Sequence, residues 1–126
     1  MVAEETLVEQ WRDLQARYLR TSMTLERELS ARFGIGLSEY EVLDLVCDTD
    51  APTECRMKDL SQLTALTQSA LSRVVDRLEK AGLVHRSACS EDRRALIVGL
   101  TEAGAALHRE AAPVHRALLA EQLVVD

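Results

Sequence analysis

At Gly82 the sequence changes its period, and that change limits the chain to a narrow set of folds. Upstream, Leu71, Val74, Val75, Leu78 and Ala81 recur at steps of one, three and four, the apolar face of a helix. Thr67 is a good N-cap and Gly82 a good residue to end on, so this helix spans 67–81. Its other face is polar: Gln68, Ser69, Ser72, Arg73, Asp76, Arg77 and Lys80. Downstream, Leu83–Ala88 reads as a short strand, and Leu96, Val98 and Leu100 alternate as a second one. Gly99 sits inside that second strand, where it weakens packing. The charged run Cys89-Ser90-Glu91-Asp92-Arg93-Arg94 between the strands has the composition of a hairpin tip.

The flanks are helical. Leu7, Trp11, Leu14, Tyr18, Leu25, Leu29 and Phe33 form one stripe of a helix over residues 4–33, ended by Gly34-Ile35-Gly36. That length exceeds what a small core needs, so part of the stripe is expected to pack on another chain. Ser38-Glu39-Tyr40-Glu41, with Leu37 and Val42 around it, reads as a capping box and staple opening a second helix at Ser38. Thr49–Thr53 breaks that helix. A short helix over 57–63 buries Leu60 and Leu63. Thr101 caps a last helix carrying Leu107, Ala111, Val114 and Leu118, and Pro113 is expected to kink it.

The order is therefore mainly α with a small two-stranded β wing, a winged helix-turn-helix. With 126 residues the chain is one domain, 1–126. Within it, 38–101 is the expected DNA-binding lobe, and 4–33 with 102–126 the helical dimerisation lobe.

Charge supports a nucleic-acid partner despite a net of −6. Residues 1–55 carry a net of −7 and residues 95–126 a net of −2, whereas residues 56–94 carry +3. From the start of the polar-faced helix, Thr67 onward, Gln68 suits adenine, Arg73 suits guanine, and Ser69 or Ser72 suits either. Arg77, a turn further on, reaches phosphate. Arg93 and Arg94 at the hairpin tip suit an adjacent minor groove, with Asp92 holding one of them in place.

Other chemistries find little here. There is no nucleophile–base pair, no glycine-rich phosphate loop and no cofactor motif, so an enzyme is not expected. The three cysteines, Cys47, Cys55 and Cys89, form neither a disulfide framework nor a zinc signature. Cys47 reads as a small core residue. His85, His108 and His115 lack metal-ligand spacing, and His108 and His115 read as polar decoration of the last helix. Acidic residues at the amino terminus and charges interrupting every apolar run point to a cytoplasmic protein without a membrane span.

The stretch Asp92-Arg93-Arg94-Ala95-Leu96-Ile97-Val98-Gly99-Leu100-Thr101 resembles the wing signature of the multiple-antibiotic-resistance regulator (MarR) family. Thr67 through Val84 is similar to that family's recognition helix and strand entry, and the resemblance runs from about residue 7 to the end. It implies a homodimeric bacterial transcription regulator on palindromic operators, nucleoid-associated when bound, and usually a repressor relieved by a small effector. It also implies that Arg94, braced by Asp92, reads minor groove, and that Gln68, Ser69, Ser72 and Arg73 read major groove. Family effectors bind between the dimer helices and the DNA-reading lobe, where Trp11, Tyr40 and Arg109 are the candidates. Family members usually continue into a further helix beyond the point where Asp126 ends this chain. Dimerisation is then expected to use the first helix and Leu107–Val125, unless a carboxy-terminal segment is missing. Two rival readings are a redox-responsive regulator switched through Cys89 or Cys55, and a winged-helix protein-interaction module that does not read DNA.

Overall fold

A computed structural model describes residues 3–48, 55–88 and 96–123. It contains α1 (Glu4–Phe33), α2 (Leu37–Cys47), β1 (Cys55–Arg56), α3 (Met57–Leu63), α4 (Gln68–Lys80), β2 (Val84–Ala88), β3 (Leu96–Leu100) and α5 (Glu102–Leu123). One core joins them. Leu25 and Leu29 of α1, Tyr40, Val42, Leu43 and Val46 of α2, and Leu60 of α3 meet the four apolar residues of α4, with Val84, Val98 and Ala111 completing it.

The expected hairpin is present, with Val84 opposite Leu100 through to Ala88 opposite Leu96. β3 also takes β1 on its other edge, antiparallel, so the sheet order is β1-β3-β2. A two-residue strand has no periodicity of its own, and only pairing reveals it. The first helix has the expected bounds, but only the carboxy-terminal half of its stripe is buried. Leu7, Trp11, Leu14 and Tyr18 stay exposed, Tyr18 at 72%. Leu63 is likewise exposed rather than buried. α5 runs unbroken through Pro113. The expected break at Thr49–Thr53 lies outside the described residues.

The start of α2 departs from the capping-box expectation. Helix geometry begins at Leu37, its N-cap is Gly36, and no side chain of the flanking residue caps it. Instead the Leu37 backbone N–H donates to Glu26 Oε2 of α1 at 2.7 Å. Gly34, with φ of 66°, turns the chain so tightly that α2 starts beside α1. A carboxylate from the neighbouring helix complements the positive helix end better than a neutral hydroxyl does.

The two other ends follow their sequence signals. Thr67 Oγ1 accepts from the Ala70 N–H at 3.1 Å. At the far end of α4 the Leu83 N–H donates to Leu78 O at 2.9 Å across Gly82, whose φ is 77°. Thr101 Oγ1 accepts from the Gly104 N–H at 3.0 Å and donates to Gly82 O at 2.6 Å, tying α5 to the α4–β2 turn.

That junction leaves no room at Gly104, where an added Cβ would lie 2.0 Å from the Leu83 carbonyl oxygen. Gly104→Ala is therefore expected to destabilise the fold by about 2–3 kcal/mol, because backbone rather than a flexible side chain must yield. Urea denaturation checks this; an unchanged midpoint would show that the junction relaxes freely.

Candidate nucleic-acid interface

α4 is held by its apolar face. Leu71, Val74, Val75 and Leu78 are each at most 3% exposed, packed on α2 and the sheet. With that face committed, helical geometry forces Gln68, Ser69, Ser72, Arg73 and Arg77 outward, and all five are exposed, as is Thr67. The first turn thus presents Gln68, Ser69 and Ser72 in one group, with Arg73 a further step along.

The two arginines of this face differ in their surroundings. Arg73 makes no hydrogen bond or ion pair among the described residues and is free to reach a ligand. Arg77 Nη1 donates to Glu39 Oε1 of α2 at 2.9 Å. Its guanidinium retains further donors for a phosphate, but its position is set by α2. Asp92, Arg93, Arg94 and Cys89 lie outside the described residues, as does the Cys55 side chain. Cys47 is half-buried rather than fully in the core. Burial, then Asp44 and Asp48, push its thiol up to about 11, leaving it protonated and unreactive at neutral pH.

A cavity of about 550 Å³ lies between α1, α2, the end of α3 and α5. It is mostly apolar, with Arg17, Thr21, Glu41, Asp44 and His115 among its walls. None of Trp11, Tyr40 and Arg109 lines it. Trp11 and Arg109 are exposed on α1 and α5, and the Tyr40 ring is fully buried, so the fold does not bring these three together.

Tyr40 instead belongs to a polar network that joins α2 to α5. Arg116 donates to the Tyr40 hydroxyl at 2.6 Å and to both Asp44 oxygens at 3.0 and 3.2 Å. His108 Nε2 lies 2.6 Å from Asp44 Oδ1, and its ring stacks on that of Tyr40. His115 also packs on Tyr40, with ring centroids 4.7 Å apart. These histidines are therefore not surface decoration. Positions 108, 111 and 115 share the α5 face that packs on α2, and His115 is buried there. The sequence carried a signal: Asp44 falls one turn from Tyr40 among the apolar positions of α2, and such a residue needs partners. The described residues contain no group of three His, Cys, Asp or Glu side chains placed to hold a metal.

Protonation follows from this packing. Burial, reinforced by Asp44, pushes the Tyr40 phenol up to about 12. Burial of Asp44 opposes its charge, but hydrogen bonds from His108 and Arg116 outweigh it and lower its pKa. Burial, then the Arg116 charge, lowers that of His115, whose Nδ1 accepts from Arg116 at 2.9 Å. The folded chain thus favours neutral His115, while the unfolded chain takes up its proton at about pH 6.5. Stability from this site is complete above that pH and falls as pH drops below it; the Asp44 contribution is lost only further down, through its own lowered pKa. The urea midpoint is expected to be lower at pH 5.5 than at pH 7.5, with the His115 ring resonance titrating below 6.5. A His115 titration above 6.5 would contradict this packing. Asp44→Ala, which strands Arg116 and His108, is expected to cost about 1–3 kcal/mol by the same denaturation measurement.

The MarR family's sequence profile matches residues 33–95, half of the chain. AbsC of Streptomyces coelicolor, a MarR family transcriptional regulator, is 32% identical, with 98% of this chain and 82% of AbsC covered at a TM-score of 0.86. Sco3205 of the same organism, a MarR family regulator solved in complex with DNA, is 31% identical, with 98% of this chain and 75% of Sco3205 covered at a TM-score of 0.85. The regulator PecS of Dickeya dadantii is 27% identical over 115 residues, covering 80% of this chain and 69% of PecS. The five helices and the antiparallel wing hairpin are those of the structural relatives, and the chain belongs to the MarR family of transcriptional regulators.

Proposed function

We propose that this protein is a homodimeric, sequence-specific DNA-binding regulator, a repressor of palindromic operators released by a small molecule. The observation that carries the reading is the outward face of α4, where Gln68, Ser69, Ser72 and Arg73 stand exposed from one capped helix end. Those side chains have the donors and acceptors that major-groove base edges require. The DNA complex of the Sco3205 relative supports the same partner for this chain. Arg77 is assigned to phosphate, and Arg94, with Asp92 beside it in sequence and Arg93 next to both, to the minor groove.

A palindrome needs two copies. The exposed stripe Leu7, Trp11, Leu14 and Tyr18 on α1 is the surface we assign to a second copy, together with the end of α5, where Leu123 is also exposed. An apolar face of this extent, continuous with the core stripe of the same helix, is costly to leave in water. On this reading 4–33 and 102–126 form the dimerisation lobe and 38–101 the DNA-binding lobe. Two recognition helices must then sit roughly 34 Å apart to enter successive major grooves. The cavity between α1, α2 and α5 lies where the lobes meet, and its size suits a small molecule. A ligand that fits one lobe arrangement better than the other shifts that spacing and lowers operator affinity.

Selection from a random duplex pool is expected to enrich an inverted repeat bound with a steep salt dependence. On that duplex Arg73→Ala should cost about 1–3 kcal/mol and relax specificity at one position. Full sequence-specific binding by the Arg73→Ala, Arg94→Ala double variant would overturn the assignment of both residues. In sedimentation, the wild-type chain is expected to be a dimer and the Leu14→Glu, Tyr18→Glu variant a folded monomer that no longer binds the repeat. A wild-type monomer would remove the dimeric reading.

A further inference from the structure

Arg86 is the one arginine of β2 and β3, and the fold engages both its backbone N–H and its guanidinium Nη2. It is the third residue of β2, opposite Val98 of β3, and β2 is an edge strand with its outer side facing α4. On that side the Arg86 backbone N–H donates to Glu79 Oε2 at 3.1 Å. Its guanidinium Nη2 donates to Glu79 Oε1 at 3.1 Å and also to Asp76 Oδ1. One residue of the wing thus grips two carboxylates on adjacent turns of the recognition helix, through both its main chain and its side chain.

The turn itself leaves this grip something to do. Hydrogen bonds across Gly82 fix where β2 begins, and β3 packs on α2, α3 and α5, while β2 packs on β3 and α4. Asp76 and Glu79, near the carboxy-terminal end of α4, add a side-chain tie beside that turn. They are also carboxylates on the helix assigned to DNA, where unpaired negative charge would repel phosphate. The Arg86 side chain is only 26% exposed, against 59% for Arg77, so it is poorly placed to be a phosphate contact itself.

We propose that Arg86 is the positioning residue that locks the wing to the recognition helix through Glu79 and Asp76, so that contacts in the major and minor grooves are made as one unit. This rests on the DNA-binding reading above. Partly exposed ion pairs contribute little to folding, so the lock can be opened without unfolding the protein. Its work is geometric: a wing free to lean spends binding energy on being ordered at the operator.

The test is a double-mutant cycle on the selected duplex between Arg86→Met, which keeps the apolar stem, and Arg94→Ala. In the wild type Arg94→Ala is expected to weaken binding about tenfold or more; in the Arg86→Met background it should weaken it by less than about threefold. Hydroxyl-radical footprints should show Arg86→Met losing protection of the flanking minor groove while the central major-groove contacts persist. The Asp76→Asn, Glu79→Gln pair, which removes the charges that Arg86 grips, should reproduce both results and serves if Arg86→Met folds poorly. Equal cost of Arg94→Ala in both backgrounds, or no cost in the wild type, would overturn the proposal while leaving DNA binding intact. A folded wild-type protein that binds no duplex would instead remove the DNA-binding reading, and this proposal with it.

Discussion

The structure depends on the burial of α2. This helix has only 11 residues, yet α1, α3, α4, α5 and β3 all pack against it. Tyr40, Val42, Leu43 and Val46 are buried and Glu41 is the one exposed residue of Leu37–Cys47, so the helix has no solvent stripe of the ordinary kind. α4 therefore reaches the two long helices, which also pack on each other, through a shared neighbour. Its polar groups are satisfied by those neighbours: Glu26 of α1 takes its first N–H, Glu39 holds Arg77 of α4, and Asp44 holds His108 and Arg116 of α5. Three carboxylate contacts thus tie one short helix to three others, and each leaves an unpaired group behind if its carboxylate is removed.

Where a segment's own pattern decided its structure, the sequence was readable. α4 is the clearest case: Thr67, Gly82 and an apolar residue at each inward position all favour the same helix, and the exposed face follows from geometry alone. The same holds for the length of α1 and the pairing of β2 with β3. What escaped was set by distant partners. Ser38 had the sequence of a cap, but Glu26, eleven residues from Leu37, reached the helix end instead. His108 and His115 looked like surface residues because nothing local says that their face of α5 lies on α2. β1 is too short to carry a pattern.

The arrangement places the apolar cavity and the polar network side by side. Asp44 and His115 belong to both, each lining the cavity while bonded to Arg116. A molecule entering the cavity meets, at Asp44, a carboxylate already compensated by His108 and Arg116, beside the charged side chains of Arg17 and Glu41. Those two partners of Asp44 lie on a different helix from its own. Any ligand that competes for those partners acts on the seam between α2 and α5, the same seam along which the two lobes would move.

Arg86 has one more effect, on how copies of the chain can associate. An edge strand with free backbone donors invites another strand to add to it, and small sheets are open to this on both sides. Here β1 covers part of one edge of the central strand, and Glu79 occupies the outward N–H of Arg86 on the far edge of β2. That N–H is thereby unavailable to a strand adding at the edge of β2. Any association of copies would then have to use another surface, and the exposed apolar stripe of α1 is the one proposed above.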